Sequence, residues 1–141
     1  MIIPDINLLV YAYNSDAPFH SGSRKWWEET MNGTERIGIP WIVSAGFIRL
    51  MTHPKVLANP VDPEQAVRWV ESWFAYDHVS PINPGHDHLR ILAGCLADSG
   101  VGANLVTDAH IASLAIEYQA RVYSNDTDFG RFSGLNWVNP I

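Results

Sequence analysis

Short apolar segments alternate with longer stretches of helical spacing from one end of the chain to the other, and this alternation constrains the fold more than any other feature. Strand candidates fall at residues 1–5, 36–40, 77–81, 121–124 and 136–138. An apolar run follows the first of them over residues 6–13. A helix is expected over 19–31, with Trp26 and Trp27 as its apolar contribution and Asn32-Gly33 as its stop. Val43, Phe47, Leu50 and Met51 share one helical face, and His53-Pro54 ends that segment. Asp62 caps a further helix with Pro63 in its first position and Val67, Val70 and Phe74 along one side. Leu89, Leu92 and Leu96 mark the next, and a glycine-containing loop over 99–103 follows it. Thr107 reads as the N-cap of a helix beginning at Asp108, with Ile111, Leu114, Ala115 and Tyr118 on its buried side, and residues 125–128 read as a turn. Strands alternating with helices predict an α/β domain with a mostly parallel central sheet and helices on both faces.

The 141 residues fit one domain, 1–141, with a sizeable apolar core. The longest uncharged stretch in the middle of the chain, residues 37–48, falls short of the roughly 18 apolar residues a membrane span needs, so no membrane association is expected. The opening Met1-Ile2-Ile3-Pro4-Asp5 carries no basic region and is not read as a secretory leader. A single cysteine, Cys95, has no partner for an internal disulfide, which makes the reducing cytoplasm the expected compartment. A net charge of −6 argues against holding nucleic acid by bulk electrostatics. It leaves open a solvated acidic surface or carboxylates gathered around cations.

Ligands of open parallel sheets collect beyond the carboxyl ends of the strands. Asp5 closes the first strand, and Asp126 and Asp128 lie just past the fourth. Asp108 stands at the start of the helix that precedes that fourth strand, so three separate segments are expected to deliver acids to one crevice. Such a set suits hard divalent cations, Mg²⁺ or Mn²⁺, which prefer oxygen ligands. Each acid also has an ordinary structural explanation. Asp5 can begin a helix, Asp108 favours a helix dipole, and Asp126 and Asp128 are common turn residues.

Three segments carry a family resemblance: Asp5-Ile6-Asn7-Leu8-Leu9-Val10-Tyr11-Ala12, Thr107-Asp108-Ala109-His110-Ile111-Ala112-Ser113-Leu114-Ala115, and Ser124-Asn125-Asp126-Thr127-Asp128-Phe129-Gly130-Arg131-Phe132 followed by Gly134-Leu135. In order and spacing they resemble the motifs of PIN-domain ribonucleases, and among these the VapC toxins of bacterial type II toxin–antitoxin pairs. The resemblance implies a PIN fold, a metal-dependent endoribonuclease acting on RNA, a homodimer, and a small VapB-type antitoxin whose C-terminal segment occupies the active-site groove. It places Asp5, Asp108 and Asp126 at metal-binding positions and Asp128 at an additional acid, all four being the catalytic candidates, with Asn7 and Ser124 supporting them. One departure stands out: Gly46 occupies the place where the family usually has a glutamate, ahead of Arg49. Losing that carboxylate puts the number of ions in question and leaves an alternative, a catalytically impaired PIN domain that binds RNA or a partner. A small phosphatase with a nucleophilic aspartate is disfavoured, since Asp5 is followed two residues on by Asn7 rather than a second acid.

Other features read as structural. His86-Asp87-His88 is a surface or helix-start segment rather than a metal site, and His20, His53, His78 and His110 are scattered candidates for a general base. Six tryptophans is a high count; Trp26, Trp27, Trp69 and Trp73 lie in helical stretches and are expected in the core or a subunit interface, with one exposed aromatic free to stack on an unpaired base. Arg24, Lys25, Arg49, Lys55 and Arg131 are candidate phosphate contacts, and Cys95 is expected to be packed rather than nucleophilic.

Overall fold

A computed structural model describes residues 1–100 and 102–141. Its elements, in chain order, are β1 (Ile2–Pro4), α1 (Ile6–Tyr13), α2 (His20–Met31), β2 (Ile37–Pro40), α3 (Trp41–Met51), α4 (Pro63–Phe74), β3 (Val79–Ile82), α5 (His88–Ser99), a 3₁₀ turn (Ala103–Leu105), α6 (Val106–Glu117), β4 (Arg121–Tyr123), a second 3₁₀ turn (Thr127–Arg131) and β5 (Asn136–Val138). All strand pairs are parallel and the order is β3-β2-β1-β4-β5. Ile3 sits opposite Val122, and Ile37 opposite Val79.

That order fixes where the helices go. From β1 to β3 the chain walks toward one edge, then returns across the sheet to β4 and continues to β5. Right-handed crossovers in opposite directions place their helices on opposite faces. Accordingly α1 packs on α2 and α3, and α3 on α4, while α5 and α6 pair with each other. The reversal falls between β1 and β4, which opens a crevice at their carboxyl ends.

Strands buried on both faces read as continuous apolar runs, and Ile3, Ile37, Ile39 and Val122 are fully buried. Helices contribute Leu9, Phe47, Met51, Ile111 and Leu114. Trp73 is the largest buried side chain; it packs edge-on against Phe47 and Trp27, and its indole N–H donates to the Tyr13 hydroxyl at 2.8 Å. Pro81 is tolerated because β3 is an edge strand, where a missing ladder donor faces outward.

Several expectations are corrected. Thr107 does not cap α6: the 3₁₀ turn runs directly into the helix, whose N-cap is Leu105. Tyr118 lies at the exposed C-terminal end of α6 rather than on its buried side. On α5 the inward residues are His88, Cys95 and Ser99, while Leu89 is 77% exposed; the leucine spacing marks the helix but not its core face. On α4 the buried positions are Ala66, Val70 and Trp73, and Val67 looks outward. The segment expected to be a loop over 99–103 begins with the last residue of α5 and ends with the first of the 3₁₀ turn; Gly100 closes the helix at φ +68°, and Val101 lies outside the described residues. The 125–128 turn leads into a 3₁₀ turn starting at Thr127.

Candidate functional site

Four aspartates arrive at the β1–β4 crevice from three places in the chain. Asp5 follows β1 and caps α1, so the structural and the functional explanation apply to the same side chain. It is 4% exposed. Its Oδ1 accepts the Ile6 N–H at 2.7 Å and its Oδ2 accepts the Ser124 hydroxyl at 2.7 Å. Ser124, just past β4 and fully buried, in turn accepts the Asp126 N–H at 2.9 Å, and its carbonyl accepts the Trp137 indole N–H at 2.9 Å. One hydroxyl therefore ties the ends of the two central strands together. Asp126 caps the second 3₁₀ turn by accepting the Asp128 N–H at 2.9 Å. Asp108 comes from the first turn of α6, which starts above the same sheet edge because the helix must run back to begin β4.

Carboxylate oxygens of Asp108, Asp126 and Asp128 lie within 4.8 Å of one another. Asp5 stands behind them, buried and doubly hydrogen-bonded, close enough for its charge to act on Asp108 and to feel that of Asp126. Burial pushes the Asp5 carboxyl up to about 6, against the lowering effect of its two hydrogen bonds. Desolvation, then repulsion from Asp5, Asp126 and Asp128, pushes Asp108 up to about 7. Like charges held this close disfavour ionisation, and an oxygen-binding cation would offset that cost. The donor set is carboxylate oxygen throughout, which fits a hard divalent ion.

At Gly46, where the resemblance leads one to expect a glutamate, the space is filled from another direction. Gly46 lies buried in α3, and a Cβ there would meet Ile6 Cδ1 at 2.6 Å. The Ile6 side chain takes up the room a larger residue at 46 would need. Asn7 sits partly exposed on the first turn of α1.

Of the basic candidates, Arg131 donates its Nε to Asp128 at 2.9 Å, and Arg24 and Lys25 pair with Glu28 and Glu29 on α2. Arg49 is exposed in the last turn of α3. His110 is turned toward α5, where its Nδ1 meets His88 Nε2 at 2.8 Å; burial, and then the facing His88, hold it below its ordinary value. Sequence reasoning missed that inward role of His88, which no spacing signal distinguishes from its exposed neighbours His86 and Asp87. It also missed Tyr11. That residue lies near the far end of α1, and burial followed by the Asp5 and Asp126 charges raises its phenol. Helical side chains lean toward the N-terminus of their helix, and this direction was the available signal.

Residues 2–135 match the PIN domain family. The chain is 41% identical over 141 residues to ribonuclease VapC33 of Mycobacterium tuberculosis, covering all of this chain and 99% of that protein. It is 40% identical to ribonuclease VapC37 of the same organism, covering 99% and 97%. Among solved structures, M. tuberculosis VapC20, described as a sarcin-ricin loop-cleaving toxin, superposes with a TM-score of 0.73 at 14% identity, covering 99% of this chain and all of that one. A VapBC2 complex from Rickettsia felis bound to promoter DNA gives 0.69 at 22%, covering 99% and 98%. With its motifs, its parallel sheet and full-length relatives in agreement, the chain belongs to the PIN domain family, among the VapC ribonucleases.

Proposed function

We propose that this chain is the toxin of a type II toxin–antitoxin pair, an endoribonuclease that hydrolyses RNA phosphodiester bonds with Mg²⁺ or Mn²⁺. The observation that carries the reading is the convergence of Asp108, Asp126 and Asp128 within 4.8 Å at the β1–β4 crevice, with Asp5 buried behind them. When bound, the ion supplies charge compensation to the phosphate and a more acidic water. Asp5, Asp108 and Asp126 would hold it directly or through water, with Asp128 completing the negative pocket or orienting a water. Ser124 keeps the Asp5 carboxylate and the Asp126 backbone in fixed register. Hydrolysis adds water across one P–O bond of the phosphodiester.

A VapB-type antitoxin is the expected partner, its basic segment matched to a chain of net charge −6, and the active toxin is expected to be a homodimer. The lone cysteine, Cys95, is buried on α5, consistent with a cytoplasmic protein. No helix among the described residues is long and apolar enough to cross a membrane.

The test is incubation of the purified, partner-free chain with mixed cellular RNA under Mg²⁺, Mn²⁺ or EDTA, beside Asp5→Ala. Discrete fragments that require metal and disappear in the variant are expected. Undiminished cleavage by Asp5→Ala overturns the assignment. The absence of a carboxylate at Gly46 favours one second reading, a binding-only member. Metal-independent RNA retention without any cleavage would establish it instead.

A further inference from the structure

The geometry points to Tyr11 and Phe19 as a stacking platform for an unpaired RNA base beside the scissile phosphate; this rests on the nuclease reading above. Their rings lie 5.5 Å apart at a tilt of 46°. Tyr11 is half-buried on α1, leaning toward the acid crevice, with its phenol in the field of the Asp5 and Asp126 carboxylates. Phe19, at the N-cap of α2, is 48% exposed. One part of the Phe19 ring packs on Tyr11 and the rest faces water, so the pair presents an accessible aromatic surface.

The platform is held in place. His20 Nδ1 bonds the Tyr11 carbonyl at 2.8 Å, the Asp16 N–H donates to the Asn14 side chain at 3.1 Å, and the Ala17 and His20 N–H groups close successive turns. The connection from α1 to α2 is thus a fixed corner, and a base docking there meets a preformed surface.

Charge supplies the second, independent argument. Six of the nine Lys and Arg residues are engaged in ion pairs with carboxylates of the chain itself: Arg24, Lys25, Arg68, Arg90, Arg121 and Arg131. A protein of net charge −6, whose cations mostly stand beside carboxylates of the chain, gains little from counterion release. Apart from the ion's compensation of the phosphate, affinity for RNA then draws on contacts that ignore charge, and base–aromatic stacking is one that tolerates any sequence. Stacking also requires a base that is out of a helix, so the platform selects single-stranded or looped RNA.

The probe is a set of short single-stranded RNAs carrying 2-aminopurine at successive positions, bound to the full chain with Asp108→Asn to prevent cleavage. Fluorescence quenching is expected to peak at a nucleotide flanking the phosphate that the parent protein cuts. Phe19→Leu, which keeps an apolar contact with Tyr11 but loses the aromatic face, should weaken binding about 10-fold and abolish the quench. Phe19→Trp should retain both. The logarithmic salt slope should be shallow and the same in all three proteins. Unaltered affinity and quenching in Phe19→Leu overturn the platform while leaving the nuclease standing, provided the parent still cuts in a metal-dependent way. A parent that neither binds nor cuts RNA overturns both.

Discussion

Replacing Gly46 by alanine tests why this chain has no side chain at that position. In an open helix the change should stabilise by about 1 kcal/mol, because alanine is the better helix former. Here the new Cβ would sit 2.6 Å from Ile6 Cδ1, 3.2 Å from Cγ1 and 3.4 Å from Cγ2. The first separation is shorter than carbon atoms tolerate, and overpacking of this kind costs about 1–3 kcal/mol. The two effects oppose each other, so Gly46→Ala should be destabilised by up to about 2 kcal/mol. Ile6→Val removes the offending methyl at its own cost of about 0.5–1.5 kcal/mol. In that background the clash is largely gone and alanine at 46 should become neutral or stabilising. A double-mutant cycle by urea unfolding, followed by tryptophan fluorescence, should therefore show a coupling of about 1–2 kcal/mol between the two sites. Additivity within about 0.5 kcal/mol would refute the claim that Ile6 occupies the room at 46.

Metal-free stability should fall as pH rises. A carboxyl with a folded pKa of about 6 and an unfolded value near 3.8 contributes stability below 3.8 that is lost as pH climbs through 6, about 3 kcal/mol at most for Asp5. In EDTA, Asp5→Asn should melt above the parent at pH 7.5, with the gap closing near pH 4; a lower melting temperature at pH 7.5 would contradict the burial argument. Ser124→Ala strips one hydrogen bond from the Asp5 carboxylate and orphans the Asp126 N–H, so stability should drop by about 1–3 kcal/mol and metal affinity with it, measured by calorimetry. Trp73→Phe leaves the Tyr13 hydroxyl without its 2.8 Å donor and opens space beside Phe47, which should cost about 2 kcal/mol in urea unfolding while leaving cleavage intact.

The alternation of short apolar segments with helical spacing was enough to place all five strands to within a residue or two: β1 and β2 are buried throughout and read as apolar runs, while the half-exposed β3 and β4 are marked by the turn residues that follow them. Helix existence was equally legible, but helix faces were not. Leu89 and Val67 follow helical spacing and yet look outward, since periodicity identifies a stripe without saying what covers it. Thr107 has the chemistry of a cap but is overtaken by a preceding 3₁₀ turn, a tertiary outcome that local propensity cannot foresee. The candidate acids were readable because strand ends and turns announce themselves. Which of them would be adjacent was not: Asp108, Asp126 and Asp128 form the tight group while Asp5 is the buried neighbour, and only the sheet order decides that.

The hydrogen bond between Asp5 and Ser124 spans 119 positions of the chain. During synthesis at about 5–20 residues per second, the first aspartate waits roughly 6 to 24 seconds before its partner has even been made. β1, the middle strand, likewise lacks one neighbour until β4 emerges. A chain interrupted before β4 carries Asp5 and Asp108 but no crevice to set them in. Assembly of the acidic centre thus waits for the segment after β4 that carries Ser124, Asp126 and Asp128, and the two earlier acids have no shared site until that last segment has been made.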